Sequence, residues 1–121
     1  MNVLIIEDDT NLSSAISDEV KSWGYAVEET DTGIAALKKM RHCYFDLILL
    51  DIFLPDTKGP LLIPEIRKLW PHSNIISMTG YNSRDLERKV RKQGFMYYMI
   101  KPFDIDRLRS IIDHMNSKAI H

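Results

Sequence analysis

The sequence is short of the features that most quickly narrow down a small protein. It has one cysteine, Cys43, in 121 residues, so it builds neither an internal disulfide nor a multi-cysteine metal site. It has no excess of one charge. Sixteen Lys and Arg stand against 17 Asp and Glu, for a net charge of −1, which gives no bulk attraction to nucleic acid or anionic lipid. It has no long apolar run either. Val3-Leu4-Ile5-Ile6 gives way at once to Glu7-Asp8-Asp9, too short a stretch for a signal peptide or a membrane span. What is present is 45% hydrophobic and 27% charged residues, the composition of a folded, water-soluble chain. The length suits one domain, 1–121, with a core of its own. A cytoplasmic location is expected.

Apolar runs recur at residues 3–6, 47–50, 75–78 and 96–100. Each is strand-length and nearly unbroken, as expected where both faces of a sheet are covered. Residues 25–30 turn polar at Glu28 and Glu29, which suits an edge strand. Leu12, Ala15, Ile16, Val20 and Trp23 form a stripe at helical spacing, with Gly24 placed to close it. Ile105, Leu108, Ile111, Ile112 and Met115 form another, with Asp104 placed to cap it. Further helices fit 34–41, 61–70 and 84–93, the last ending before Gly94. Pro64 is expected to kink or loosen the third helix. Strand and helix thus alternate five times, which argues for a parallel sheet with helices on both faces.

In an open sheet of this kind ligands bind beyond the carboxyl ends of the strands. The residues just after the runs are Glu7-Asp8-Asp9, then Asp51, then Thr79-Gly80, then Lys101-Pro102. Any one of them could simply mark a strand end. Together, carboxylates, a hydroxyl and an ammonium from four strands make one working set on one rim. Clustered carboxylates repel each other and favour a cation between them. All-oxygen ligands with room for water point to Mg²⁺ before Ca²⁺. A magnesium ion, a lysine and a hydroxyl around a carboxylate suit phosphoryl handling, with Asp51 as nucleophile. Gly80 leaves space beside Thr79 for the incoming group.

The motifs Leu4-Ile5-Ile6-Glu7-Asp8-Asp9, Asp51-Ile52-Phe53-Leu54-Pro55 with Gly59, Met78-Thr79-Gly80 and Lys101-Pro102-Phe103, in this order on alternating units, resemble the CheY-like receiver domain of two-component response regulators. The resemblance spans residue 3 to about residue 115. It implies a flavodoxin-like, doubly wound five-stranded parallel sheet of order 2-1-3-4-5 with five helices. It further implies that Asp51 accepts a phosphoryl group from a histidine kinase or phosphotransfer protein. Mg²⁺ would be held by Glu7, Asp8, Asp51 and the backbone carbonyl of Phe53, with Asp8 more direct than Glu7. Lys101, before a proline bond that is usually cis in the family, would pair first with Asp51 and then with phosphate. Thr79 would swing toward the phosphoryl group, and Tyr98 would turn inward, with Tyr97 on the opposite face of its strand. The face made by the fourth helix, fifth strand and fifth helix would carry the output to a domain or partner, with a phosphorylation-dependent homodimer as a family-level expectation.

Two positions depart from the usual pattern. Phe53 and Tyr81, each two residues after a site residue, are bulky aromatics that could shield an acyl phosphate or restrict small donors; slow self-hydrolysis is expected. Other residues read as ordinary. His42, His72, His114 and His121 have no metal-ligand neighbour at useful spacing, Cys43 suits a small packed hydrophobe, and the methionines suit core filling. Arg84, Arg88, Lys89, Arg91 and Lys92 crowd the fourth helix, with Leu86 and Val90 as its apolar anchors. That face serves either solubility or interaction, and it lacks the motifs of direct nucleic-acid binding.

The same residues bear on competing chemistries. An aspartate-nucleophile phosphatase of the haloacid-dehalogenase kind needs a carboxylate two residues after the nucleophile, where this chain has Phe53. A dinucleotide-binding turn needs glycines, and Glu7-Asp8-Asp9-Thr10-Asn11 has none. A binding module that keeps the fold without carrying phosphate is the remaining alternative. Degenerate receivers of that kind normally lack one of the acidic pair, the aspartate or the lysine, all present here. The chain is either a stand-alone regulator or a domain excised from a longer one.

Overall fold

The apolar runs become strands because both sides of each are covered by helices, so that alternate side chains feed two separate cores. In chain order the elements are β1 (Asn2–Ile6), α1 (Thr10–Ser22), β2 (Ala26–Thr30), α2 (Gly33–His42), β3 (Leu47–Asp51), α3 (Gly59–Leu69), β4 (Asn74–Thr79), α4 (Arg84–Arg91), β5 (Tyr97–Ile100) and α5 (Ile105–Ile120). This computed structural model describes residues 1–80, 84–92, 97–102 and 104–120, with positions 84, 86, 90 and 117–120 described by backbone alone. The strands pair in parallel in the order β2-β1-β3-β4-β5, the order expected from the sequence. The half-polar β2 lies at an edge, as its Glu28 and Glu29 foretell.

One core joins Leu4, Ile6, Ile48 and Leu50 to Ala36 and Met40 of α2 and to Leu62, Ile63 and Ile66 of α3. The other joins Val3, Ile5, Leu47 and Leu49 to Ile16 and Val20 of α1 and to Leu108, Ile112 and Met115 of α5. Each such side chain, fully buried, contributes roughly 1.5–3 kcal/mol. The helix starts follow the polar residues before them. Asp9 accepts the N–H groups of Asn11 and Leu12 at 3.1 Å, Thr32 caps α2, and Asp104 accepts Asp106 N–H at 2.9 Å. Gly24, at φ 96°, follows the end of α1 in the left-handed region that favours glycine.

Pro64 lies inside α3, whose helical span runs through it from Gly59 to Leu69. A proline inside a helix costs about 3 kcal/mol, and the burial of Leu62, Ile63 and Ile66 around it is of the size to offset that. The far end of α3 is tied to its neighbours. Trp70 donates its indole N–H to the Met40 carbonyl at 2.7 Å, and Ser73 donates its hydroxyl to the Phe45 carbonyl at 2.6 Å.

Candidate functional site

Parallel strands all end on the same side, so the residues closing β1, β3, β4 and β5 must share a rim. Asp51 is the last residue of β3 and Thr79 the last of β4, while Glu7 follows β1 and Lys101 follows β5. Backbone bonds hold the ends in place. Glu7 N–H donates to the Thr30 carbonyl at 3.0 Å, and Lys101 N–H donates to the Thr79 carbonyl at 2.7 Å. The Lys101-Pro102 bond is cis. Glu7, Asp51 and Thr79 are buried, whereas Asp8 is exposed.

The charges meet at Lys101. Its ammonium is hydrogen-bonded to Glu7 Oε1 and lies 3.4 Å from Asp51 Oδ2. Asp51 Oδ1 accepts the Phe53 N–H at 3.0 Å. Burial raises the Glu7 pKa, and the nearby Asp51 adds to the rise while Lys101 opposes it. Burial pulls Lys101 down, but its bonds and charge contacts with Glu7 and Asp51 outweigh that and hold it above the usual lysine value. Both shifts favour the proton: Lys101 holds its charge more firmly than a free lysine, and Glu7 holds its charge less firmly than a free carboxylate. Carboxylate oxygens of Glu7, Asp8 and Asp51 all lie within 4.8 Å of one another. Three carboxylates against one ammonium leave two negative charges, with one side open at Asp8. That donor set fits a hard divalent cation.

The expected set of Glu7, Asp8, Asp51 and Lys101 is thus drawn together. Lys101, expected to pair first with Asp51, sits closer to Glu7, because the fully enclosed carboxylate has the greater need of a charged donor. Asp9 caps α1. The Phe53 ring is 38% exposed with Lys58 Nζ 6.0 Å from its centroid, so it is not packed into the core. A Cβ at Gly80 would meet nothing within 4 Å among the described residues.

Tyr98 and Tyr97 pack into opposite cores, as strand alternation requires. Tyr98 is buried, and its hydroxyl has no hydrogen-bond partner among the described residues. Burial pushes its phenol pKa up, Glu87 adds to this and Arg91 opposes it. The Arg91 guanidinium lies 5.9 Å from its ring centroid. A cleft of about 420 Å³ beside it is lined by Glu87, Arg91, Ile100, Asp104 and Arg107. Arg88, Lys89, Arg91 and Lys92 are exposed on α4 and its end. Tyr81, Gly94, Met96, Phe103 and His121, and the side chains of Leu86 and Val90, lie outside the described residues.

Sequence reasoning passed over Asp56. Its two carboxylate oxygens accept the Gly33 and Ile34 N–H groups, both at 2.9 Å, and these bonds lower its pKa, the Gly33 bond most. The Pro55-Asp56 pair marks a turn in the sequence, but nothing local says that the turn reaches another helix.

The family model of the response regulator receiver domain matches residues 3–113, and the chain belongs to that family. Its fold and strand order are those of its relatives, the receivers of two-component signalling. The transcriptional regulatory protein ZraR of Klebsiella oxytoca is 33% identical over 109 residues, which are 90% of this chain and 25% of that protein. The chain thus spans about a quarter of the curated relatives it matches. A receiver domain protein of Methanospirillum hungatei is 31% identical with a TM-score of 0.90, covering 98% of this chain and 95% of that one. A response regulator of Burkholderia pseudomallei, solved with a phosphorylated aspartic acid, a calcium ion and citrate, is 28% identical with a TM-score of 0.84, covering 90% of this chain and 64% of that one. Among the described residues, no helix is long and apolar enough to cross a membrane.

Proposed function

We propose that residues 1–121 act as a single receiver domain whose Asp51 takes a phosphoryl group from a phosphohistidine of a sensor kinase or phosphotransfer protein. The observation that carries this reading is the buried carboxylate at the end of the central strand, 3.4 Å from an ammonium and within 4.8 Å of two further carboxylates. An Asp51 oxygen forms the P–O bond as the donor's P–N bond breaks, and the electron pair returns to the imidazole nitrogen. Phe53 N–H fixes the carboxylate's orientation, and Lys101 offsets negative charge on the transferred oxygens. Glu7, Asp8, Asp51 and the Phe53 carbonyl would hold Mg²⁺, which when bound supplies further neutralisation of the phosphoryl oxygens. Thr79, at the end of β4, would donate its hydroxyl to the modified group, and Tyr98 would serve as the aromatic whose packing follows.

The domain is a switch with no substrate turnover beyond loss of its own phosphate. Its output passes through the face of α4, β5 and α5, where exposed basic residues and Ile100 meet a partner protein, a further domain or a second copy of the chain. The setting fits the cytoplasm, and neither nucleic acid nor membrane is a direct partner. Incubation with acetyl phosphate and Mg²⁺, followed by mass spectrometry, tests the reading: the adduct is expected on Asp51 and absent from Asp51→Asn. An unmodified Asp51 with both this donor and a cognate kinase would overturn it.

A further inference from the structure

The loop between β3 and α3, residues 52–58, is closed on itself and onto the first residue of α3. Gly59 N–H donates to the Ile52 carbonyl at 2.7 Å, Leu54 N–H donates to the Thr57 carbonyl at 3.1 Å, and Phe53 and Lys58 form an antiparallel bridge. These bonds fix the shape of the loop. Its base holds Asp51 through the Phe53 N–H. Its tip is fastened to a different part of the molecule, through the two bonds from Gly33 and Ile34 of α2 to Asp56. The seam is tight: a Cβ on Gly33 would lie 2.5 Å from Thr57 Cγ2. Thr32 accepts only the Ala35 N–H, at 3.1 Å, so Asp56 takes two of the N-terminal donors of α2 that Thr32 leaves open. Because Asp56 belongs to the loop and not to the helix, the same paired bonds also determine where a loop of fixed shape stands against the rest of the rim.

We propose that Asp56 is a positioning residue for Asp51: by anchoring the loop tip to the N-terminus of α2, it sets the Phe53 amide that orients the Asp51 carboxylate. The same anchoring sets the Phe53 carbonyl for a cation. This deepens the reading of Asp51 given above and rests on it for its functional consequence.

The test uses the whole chain and compares Asp56→Ala with Thr32→Ala, which weakens the same helix end without touching the loop. In Asp56→Ala the Phe53 amide is expected to shift in its ¹⁵N spectrum and to exchange its hydrogen about tenfold faster. Mg²⁺ binding measured by calorimetry is expected to weaken about tenfold, as for other groups that orient metal ligands. Thr32→Ala is expected to leave both readouts within about twofold of the wild type. Asp56→Asn keeps one acceptor, so it falls between, and it serves for the comparison if the alanine variant does not fold. Unchanged Phe53 exchange in both Asp56 variants would overturn the proposal, as would equal acceleration in Thr32→Ala. If the wild type takes up neither Mg²⁺ nor phosphate, the Asp51 reading fails, and the Phe53 exchange comparison still decides the anchoring.

Discussion

Replacing Lys101 by methionine keeps the apolar stem of the side chain and removes the ammonium, with both its charge and its hydrogen bond to Glu7. At 3.4 Å, an ammonium and a carboxylate attract by about 5 kcal/mol at an effective dielectric of 20, and Glu7 adds a second contact. Much of this is offset by the desolvation of the groups, since burial acts on Lys101 and Glu7 alike. Removing one partner of such a pair typically costs 3–5 kcal/mol, and with Lys101 20% exposed the lower end applies, about 3 kcal/mol at pH 7. For a chain of this size that is a Tm lower by about 10 °C. The loss depends on pH. Without the ammonium, the folded-state pKa of Glu7 rises further above the unfolded value of about 4.3. The native state then binds the extra proton, so the variant regains stability as pH falls from 7 toward that value. Magnesium changes the balance too. A ligand at ten times its dissociation constant stabilises the native state by about 1.4 kcal/mol, and the variant, with two more negative charges than positive at Glu7 and Asp51, gains more from it than the wild type at equal concentration. Urea denaturation at pH 7 and 5.5, with and without Mg²⁺, reads all three effects. A loss under 1 kcal/mol, or a magnesium gain no larger than in the wild type, would refute the electrostatic reasoning.

Three further outcomes are expected. Phe53→Asn replaces an exposed ring beside the site with a small polar group, and phosphorylated protein followed by mass spectrometry should lose its label several-fold faster. Tyr98→Phe removes a buried hydroxyl that has no partner among the described residues, so chemical denaturation should find the variant as stable as the wild type or up to about 1 kcal/mol more stable, where a satisfied hydroxyl would cause a loss. Gly33→Ala drives a Cβ against Thr57 and should cost about 1–3 kcal/mol. The double variant with Thr57→Ser should recover most of this, since the obstructing methyl is gone.

The parallel sheet and its rim residues were legible because both rest on local pattern, while the strand order came only with the resemblance to receiver domains. Unbroken runs such as Leu47-Ile48-Leu49-Leu50 mark strands covered on both sides, and a parallel arrangement then puts Glu7, Asp51, Thr79 and Lys101 on one edge. Helix starts were legible where a cap stands next to the helix, as Asp104 does. The rest was set by groups far apart in the chain. Pro64 speaks locally for a kinked or loosened helix, and the helical span through it goes with the burial of Leu62, Ile63 and Ile66 against partners that lie elsewhere in the chain. Asp56 reads as a turn residue, and its bonds to Gly33 and Ile34 cross 23 and 22 positions of sequence. The preference of Lys101 for Glu7 depends on how deeply each carboxylate is enclosed, which no spacing encodes.

The two tryptophans stand on opposite sides of the sheet, Trp70 against the core shared by α2 and α3 and Trp23 against that shared by α1 and α5. Trp70 is held by the Met40 carbonyl and by Tyr44 edge-on at 5.1 Å, while Trp23 lies under the Arg109 guanidinium at 5.6 Å. The molecule therefore carries a separate optical reporter for each half. Emission from versions retaining one indole at a time would tell which layer rearranges first when the rim is loaded, without any attached dye.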